Sequence, residues 1–403
     1  MRGNGSRHPA RGAGASGRDG RSGRPHGSRG ASPRTRGDGG RGRPGGEPVG
    51  GDDAPLDVDR SFEPAFEDLG PVPGDALELT GAGGHDGCVP GRVVRLDRGF
   101  PLVVCPRGAY RAEHAISLVK GDDGRRACVG DWVALRIPDA HDKALIEAIA
   151  PRRGVLSRWD GRSRGQRQTL AANLDLVCVV QPLSKCALAV DRIARSAVLA
   201  AQGGIGLAVV LTKADRVDDD AVVRARACIA ECLGDVACVV TSSRAGRGID
   251  EARSLIAPGS TTLFLGESGA GKSSLVNALL GAEVLGTSSV RARDDSGRHT
   301  TVARRMLKVP GAGVVVDAPG LRSLPLLDEY EGLARAFPDV SALVPSCRFR
   351  DCTHGGEPGC AVRPAVESGD IPAARLEQYR SLVAEMRANR LGLDRSAPQS
   401  ITA

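Results

Sequence analysis

The sequence has no long apolar run and few aromatic residues. No stretch approaches the ~18–20 apolar residues that a membrane-spanning helix needs, and the N-terminus lacks the apolar segment of a secretory signal. These absences exclude a membrane span and favour a cytoplasmic protein with no membrane partner. Only 3% of the 403 residues are aromatic and 54 are Gly, but the apolar fraction of 41% is ordinary for a globular chain. The length leaves room for two or three domains.

Basic residues are unevenly distributed. Residues 1–43 contain eleven Arg, no Lys and two acidic residues, a local charge of +9, so the other 360 residues carry −2 of the total +7. Residues 1–60 have almost no aliphatic side chains and cannot bury enough apolar surface to offset their ordering entropy. We expect a disordered Arg/Gly-rich tail over residues 1–70, which either contacts RNA phosphates or is a solvated segment without a specific role.

Five short β-like runs lie between residues 86 and 150, with Val and Ile at alternating positions and Gly, Pro and Asp between the runs. They predict a closed β-barrel over residues 71–155. An OB-fold is favoured because it routinely binds nucleic acid, and a barrel used only for packing is the alternative.

A basic linker is predicted over residues 156–172, where Trp159 lies among arginines. Basic residues around an aromatic ring suit phosphate contact and base stacking, although solvated linkers also carry such charge runs. The basic sequence begins just before this linker, and its arginines over residues 151–168 are Arg152, Arg153, Arg158, Arg162, Arg164 and Arg167.

Strands and helices alternate from residue 173 to residue 330. The strands are almost continuously apolar, which predicts an α/β domain with a parallel sheet covered on both faces. One strand–loop–helix unit carries a sequence that fits the P-loop pattern G-x-x-x-x-G-K-[ST], so its backbone N–H groups would surround phosphates. Lys272 would reach the β- and γ-phosphates as a catalytic group, and Ser273 would ligate Mg²⁺. The nucleotide-binding candidates in this loop are Gly266, Glu267, Ser268, Gly269, Ala270, Gly271, Lys272, Ser273 and Ser274.

Asp317-Ala-Pro-Gly320 closes a later apolar strand and supplies a second acidic element. At the end of that strand, Asp317 would hold Mg²⁺, commonly through water, while the Gly320 amide contacts the γ-phosphate. The polar stretch 296–303 is of the kind that orders around a γ-phosphate, and Thr300 or Thr301 could complete the metal shell.

Two further loops indicate guanine as the base. Thr212-Lys213-Ala214-Asp215 follows a strand and resembles the N-K-x-D loop, in which Asp215 would accept hydrogen bonds from guanine N1–H and the exocyclic amine. Lys213 would stack its stem along the base, and a backbone N–H of the loop Thr241-Ser242 would meet guanine O6. Thr212 stands where the motif has Asn, a side chain that helps to lock this loop to the P-loop. This departure puts nucleotide affinity in question more than base identity.

The order of these motifs is inverted, because the base-reading loops precede the P-loop. This order, with a barrel before it and a Cys/His cluster after it, resembles the small ribosomal subunit biogenesis GTPases of the RsgA type, over roughly residues 86–390. The matching motifs are GDWVAL (130–135), LAANLD (170–175), GESGAGKSSLVNAL (266–279), GRHTT (297–301), DAPGLR (317–322) and CRFRDCTHGGEPGCAV (347–362).

The resemblance implies a circularly permuted P-loop GTPase domain over residues 173–330. It implies hydrolysis of GTP to GDP with Mg²⁺, stimulated by rRNA, late in maturation of the small ribosomal subunit, by a monomer that touches RNA through its OB-fold and zinc domain. Leu321 follows the D-x-x-G motif where many GTPases place a water-positioning Gln. Leu cannot orient water, and the resemblance assigns that catalytic role to His299. Without the resemblance, the residues alone favour a surface-loop histidine.

A Cys/His cluster lies in the last predicted domain, residues 331–403, ahead of a helix near 372–390. Three thiolates and one imidazole within fourteen residues form a complete tetrahedral set, which points to one structural Zn²⁺. The loop that carries these ligands would either contact RNA or only support the GTPase domain. The other eight Cys are interpreted as buried thiols. The ligands are Cys347, Cys352, His354 and Cys360.

Two other functions remain open from the sequence. One is an RNA-binding nucleotide sensor with little turnover, which the Thr212 departure favours. The other is a P-loop ATPase that acts on RNA.

Overall fold

The computed structural model describes residues 62–80, 84–96, 100–120, 126–139, 142–159, 167–184, 188–286, 304–318 and 324–396. Most of the predicted tail lies outside these ranges, but residues 62–70 are ordered, so the prediction of disorder up to residue 70 is wrong for this stretch. Phe66–Leu69 forms a 3-10 helix, Leu69 is buried in the core, and the Phe66 ring packs edge-on against Trp132. These apolar side chains supply the burial that the Arg/Gly-rich residues before them lack.

A closed five-stranded barrel follows helix α1. Its strands pair in the order β1-β2-β3-β5-β4, and β4 returns to pair with β1. The inward side chains include Val93, Val103, Val133 and Ile146, each fully buried. The predicted OB-fold barrel is confirmed. Its elements are α1 (Gly74–Glu78), β1 (Cys88–Leu96), β2 (Leu102–Cys105), β3 (Gly108–His114), α2 (Ile116–Lys120), β4 (Trp132–Arg136) and β5 (Ala144–Ile149).

The predicted basic linker contains a two-stranded antiparallel sheet, formed by β6 (Leu156–Trp159) and β7 (Arg167–Ala171). Leu156 and Leu170 are buried, which explains why this stretch is structured. Some arginines of the basic stretch pair with acidic residues of the protein itself. Arg152 contacts the buried Asp131 at 2.7 Å, and Arg167 contacts Glu329 at 3.3 Å. Glu329 also accepts from the Trp159 indole at 3.2 Å. Arg162 and Arg164 lie outside the described residues.

Six strands form the sheet of the α/β region, in the order β10-β9-β8-β11-β13-β12. All neighbours are parallel except β12, which runs antiparallel to β13. Buried side chains cover both faces, as the continuous apolar strands predict. The elements are β8 (Leu176–Pro182), α3 (Val190–Gln202), β9 (Gly206–Thr212), α4 (Asp219–Leu233), β10 (Ala237–Val240), α5 (Ile249–Ser254), β11 (Thr261–Leu265), α6 (Lys272–Leu280), β12 (Arg304–Lys308) and β13 (Val314–Asp317).

The barrel and the α/β sheet are hydrogen-bonded to each other. Strand β1 pairs antiparallel with β12, with Leu96 opposite Arg304, so the two sheets form one eleven-stranded sheet. Arg92 is 3% exposed and crosses the same junction. Its guanidinium donates to the Leu69 carbonyl at 2.7 Å and to the Thr261 hydroxyl at 2.9 Å, and it lies over the Trp132 ring. Nothing in the strand pattern of the sequence predicts this junction.

The C-terminal region is helical around the Cys/His cluster. The long last helix packs against α3 and α4, and Arg195 of α3 forms a bidentate ion pair with its Glu385 at 2.6 Å. No helix in the described residues is both long and apolar enough to span a membrane. The helices are α7 (Tyr330–Ala336), α8 (Pro338–Leu343), α9 (Val362–Glu367) and α10 (Ala373–Ser396).

Candidate functional site

The described motif loops lie at one edge of the α/β sheet. Strands β9, β10, β11 and β13 are parallel, and each is followed or ended by a motif residue. Thr212 ends β9, Thr241 follows β10, Gly266 follows β11, and Asp317 ends β13. The carboxyl edge of an open parallel sheet is where ligands bind in α/β proteins. The inverted order of the motifs therefore does not separate them in space.

The P-loop runs from β11 into α6, which begins at Lys272. Gly269 and Gly271 have φ values of 78° and 96°, a left-handed conformation that favours glycine. A Cβ added at Gly271 would lie 3.3 Å from the Thr212 hydroxyl. This glycine therefore also permits close approach of the T-K-x-D loop.

Side chains of the T-K-x-D loop hold the P-loop directly. The Thr212 hydroxyl donates to the Ala270 carbonyl at 2.5 Å, and the Lys213 ammonium donates to the Gly269 carbonyl at 2.5 Å. Thr212 is 2% exposed, so its hydrogen bond is shielded from water. Thr212 thus makes the contact expected of Asn in the N-K-x-D motif, and the departure from that motif does not unlock the two loops.

Asp215 is oriented by the next loop along the sheet. The Ser242 hydroxyl donates to Asp215 Oδ1 at 2.6 Å, and the Ala214 amide donates to the Thr241 carbonyl at 3.1 Å. The hydrogen bond from Ser242 lowers the pKa of Asp215 below its ordinary value. The carboxylate is therefore ionised at neutral pH and held in place by Ser242.

Lys272 lies over its own loop. Its ammonium donates to the Gly266 carbonyl and to the Glu267 carbonyl at 2.9 Å. The Glu267 side chain forms an ion pair with Arg192 at the start of α3. A cationic group is thus placed beside the helix N-terminus, where phosphate binding is favoured.

Asp317 ends β13 opposite Arg305 in register. Burial lowers the pKa of Arg305, and the carboxylate of Asp317 opposes this change, so the two charges are close. The remaining predicted catalytic residues, His299, Thr300, Thr301 and Gly320, lie outside the described residues.

The predicted metal ligands converge at the other end of the chain. The ligand atoms of Cys347, Cys352, His354 and Cys360 all lie within 4.8 Å of one another. His354 Nδ1 is 3.6 Å from the sulfur of Cys347 and 3.5 Å from the sulfurs of Cys352 and Cys360. With bonds of about 2.3 Å to sulfur and about 2.0 Å to nitrogen, a tetrahedral zinc ion requires N···S separations of roughly 3.5 Å. The four residues fit zinc.

Glu357 shapes the turn that carries His354, a role that the sequence reasoning missed. One carboxylate oxygen accepts from the Thr353 amide at 2.8 Å and from the Thr353 hydroxyl at 2.5 Å. The other accepts from the amides of Gly355 at 2.8 Å and Gly356 at 3.1 Å. His354 itself has a φ of 57°, rare for a non-glycine residue. A Glu directly after Gly-Gly inside a Cys/His cluster is the signal that could have identified this role.

Comparison with known proteins identifies the family. A model described as RsgA GTPase matches residues 149–327. The Small ribosomal subunit biogenesis GTPase RsgA of Streptomyces avermitilis is 40% identical over 301 residues, which are 74% of this chain and 80% of the relative. The chain belongs to the RsgA GTPase family.

Other members agree in sequence and in fold. The RsgA of Methanosarcina acetivorans is 38% identical over 65% of this chain and 70% of its own length. The crystal structure of YjeQ from Thermotoga maritima matches 74% of this chain and 99% of its own, with a TM-score of 0.56 and 25% identity. The fold also matches that of YloQ, a circularly permuted GTPase, over 77% of this chain and 99% of its own, with a TM-score of 0.54 and 22% identity.

Membership of the RsgA family makes the chain a GTP hydrolase. This activity implies GTP and GDP as ligands with Mg²⁺. The T-K-x-D loop precedes the P-loop along this chain, so its GTPase domain is circularly permuted relative to ordinary GTPases.

Proposed function

We propose that the chain hydrolyses GTP to GDP and phosphate in late maturation of the small ribosomal subunit, in the cytoplasm. Its relatives carry this target in their names. The observation that supports a single nucleotide site is the contact of Thr212 and Lys213 with the P-loop, at 2.5 Å each. These contacts bring a base-reading loop and a phosphate-binding loop to one ligand.

The base end of this site would be read by the two loops after β9 and β10. Asp215 would accept from guanine N1–H and the exocyclic amine, contacts that adenine cannot return. The stem of Lys213 would stack along the base, and the loop at Thr241 and Ser242 would supply a backbone N–H to guanine O6. The bond from Ser242 to Asp215 supports this assignment because it sets the orientation of the carboxylate before the base arrives.

The phosphate end would be formed by the loop 266–274 and Lys272. Ser273 would ligate Mg²⁺, and Asp317 would hold the ion from the adjacent strand end, commonly through water. Thr300 or Thr301 would complete the metal shell, the Gly320 amide would contact the γ-phosphate, and His299 would orient the attacking water. Phosphoryl transfer to water requires little covalent chemistry from the protein. Positioning of the reactants and stabilisation of charge therefore supply most of the rate acceleration.

The Cys/His cluster would hold one structural Zn²⁺. Four protein ligands close the tetrahedral shell and leave no position for substrate. The N···S separations of 3.5–3.6 Å match a zinc ion, and Cys347, Cys352 and Cys360 are free thiols rather than disulfides. When bound, the metal would cross-link the loop 347–360 and fix it against α10.

Three regions would act together on the subunit. We propose the OB-fold over residues 71–155, the GTPase domain over 173–330 and the zinc-binding region over 331–403, in a monomer that contacts rRNA through its flanking regions. The strand pairing between β1 and β12 supports such coupling, because β12 directly follows the stretch 287–303, which includes His299.

A nucleotide sensor with little turnover is now less favoured. The absence of Asn at position 212 favoured a sensor, because that Asn helps to hold the P-loop. The Thr212 hydroxyl makes an equivalent bond to the P-loop. No other observation on the described residues favours it.

The test is GTP turnover by the full zinc-loaded chain, with and without salt-washed small ribosomal subunits. We expect subunits to raise the rate well above the basal value, and large subunits, as the control, to have no such effect. Lys272→Ala should abolish both rates. A wild-type rate that is the same with small subunits, with large subunits and with neither would contradict the proposal.

A further inference from the structure

A cavity of about 560 Å³ lies between the turn at Cys352–His354 and helix α10. We call it the α10 pocket. One wall is the metal-ligand turn, and the other is the face of α10 from Tyr379 to Leu391. Its volume falls in the range of small-molecule sites, roughly 300–1,000 Å³, and is large enough for one nucleotide.

Three arginines line the α10 pocket: Arg350, Arg380 and Arg387. Within the part of the chain that the structure describes, none of them forms an ion pair with an acidic residue. Their neighbours on the same helix differ, since Arg375 contacts Asp339 at 2.6 Å and Arg390 contacts Asp328 at 2.8 Å. The pocket therefore concentrates unneutralised guanidinium groups, which suit phosphate because they offer planar, paired donors.

The guanidinium of Arg380 lies directly over the metal-ligand turn. A Cβ added at Gly355 would come within 2.9 Å of its Nη2. Arg380 also lines the cavity, and among the described residues it forms no ion pair with a carboxylate. Its positive charge is therefore available to an anionic ligand in the pocket.

The remaining lining is apolar and partly aromatic. Tyr379 and Val383 form part of it on α10, and Val344 contributes from the other side. Tyr330 also lines the pocket, and its side chain is 45% exposed. An exposed aromatic ring beside unpaired guanidinium groups is the combination that stacks a base and holds its phosphate.

We propose that the α10 pocket takes one unstacked nucleotide of a single-stranded RNA segment. The base packs against Tyr330 and the apolar lining, and the phosphates lie on Arg350, Arg380 and Arg387. This inference rests on the proposed function, because RNA is then the polyanion that this surface meets. An acidic peptide matches the charge but has no need of an aromatic ring beside the guanidinium groups.

The test uses a fluorescein-labelled RNA hexamer without secondary structure, together with the same hexamer made abasic. Both are titrated into the full zinc-loaded chain. Tyr330→Ala should weaken binding of the normal hexamer by about tenfold and leave the abasic hexamer unchanged, while Tyr330→Phe should bind as wild type. The double variant Arg380→Gln/Arg387→Gln should weaken both hexamers and lower the slope of log K against log salt by about 1.4.

The matched control is Arg224→Gln/Arg226→Gln, which removes the same two charges from exposed arginines of helix α4. It should leave both titrations nearly unchanged. The proposal is overturned if Tyr330→Ala weakens both hexamers equally or neither of them, or if a glutamate-rich peptide displaces the hexamer from wild type but not from the double variant. Subunit-stimulated GTP turnover of the wild type is measured on the same preparation. If the hexamer titrations overturn the pocket but small subunits still stimulate GTP turnover, the proposed function stands.

Discussion

The hydroxyl of Thr212 lies 2.5 Å from the carbonyl oxygen of Ala270. This single bond joins two motifs that are 58 residues apart in the chain and in reversed order relative to ordinary GTPases. Both groups are buried, so the bond is not exchanged with water. The bond fixes the position of the P-loop at Ala270 relative to the T-K-x-D loop.

Thr212→Val should weaken nucleotide binding with little change in side-chain volume. The Ala270 carbonyl would lose its donor, and a buried unsatisfied acceptor costs about 1–3 kcal/mol. We expect roughly tenfold weaker GDP binding, measured with a fluorescent GDP analogue. Thr212→Ser keeps the hydroxyl and serves as the control. An affinity of Thr212→Val equal to that of wild type would show that the bond does not shape the site.

Asp215→Asn should change the preferred base. The amide can accept one hydrogen bond and donate one, which matches N1–H and O2 of xanthine but not N1–H and the amine of guanine. Loss of a hydrogen bond to a charged acceptor costs about 1.5–3 kcal/mol, so GTP affinity should fall by roughly 10–100-fold while XTP affinity rises. Competition of XTP and ATP against labelled GTP measures both. A variant that keeps its preference for GTP would remove Asp215 from the base site.

The candidate site was predictable because its residues follow strands. Apolar strands that are followed by Gly266 or Asp215, or that end in Asp317, are local patterns. Parallel pairing brings the ends of these strands to one edge whatever their order in the chain. The four metal ligands were predictable for a similar reason, since their spacing alone confines them to one loop. The contacts that support each motif, such as that between Ser242 and Asp215, were not predictable from the sequence.

The junction between barrel and α/β sheet was not predictable in this way. The pairing of β1 with β12 joins residues more than two hundred positions apart. The residue pattern of an edge strand does not reveal whether a strand from another region pairs with it. The sequence alone assigns no role to Arg92, which lies within a short β-like run. Only the fold brings it to the carbonyl groups of Leu69 and Asn173.

Arg92→Met should destabilise the protein far more than loss of a surface arginine. Its guanidinium satisfies the carbonyls of Leu69, Gly130 and Asn173 at 2.7–3.2 Å, and these would be left in the junction without that donor. We expect a loss of about 3 kcal/mol in the free energy of unfolding by urea. Arg136→Met should cost much less, because Arg136 lies on the barrel surface and its ion pair with Glu147 is exposed to solvent. Equal losses for the two variants would refute the role of Arg92.

The ion pair between Arg375 and Asp339 should make stability depend on pH. Burial opposes ionisation of Asp339, but the guanidinium outweighs it, so the pKa lies below the ordinary 3.8. A lowered pKa means that the contribution of the pair is present above about pH 3.8 and is lost as the pH falls through the folded-state pKa. Because Asp339 is 37% exposed, we expect Arg375→Met to cost only about 1–2 kcal/mol near neutral pH. Urea unfolding at neutral and acidic pH should show this difference shrinking in acid, and a constant difference would contradict the assignment.

Glu357→Gln should weaken zinc binding without altering the ligands. Both oxygens of Glu357 accept hydrogen bonds from the His354 turn, whereas Gln must direct its N–H₂ group at a backbone donor. The turn would then open, and His354 would leave its left-handed conformation for a more relaxed one. Changes to groups that orient metal ligands typically cost about 10–100-fold in metal affinity, and we expect at least about tenfold here, measured by competition with a chromogenic chelator. Glu367→Gln is the control, because among the described residues its carboxylate pairs with Arg363 on the exposed face of α9 and with no metal ligand. If both variants hold zinc as tightly as wild type, the loop is positioned by its cysteines alone.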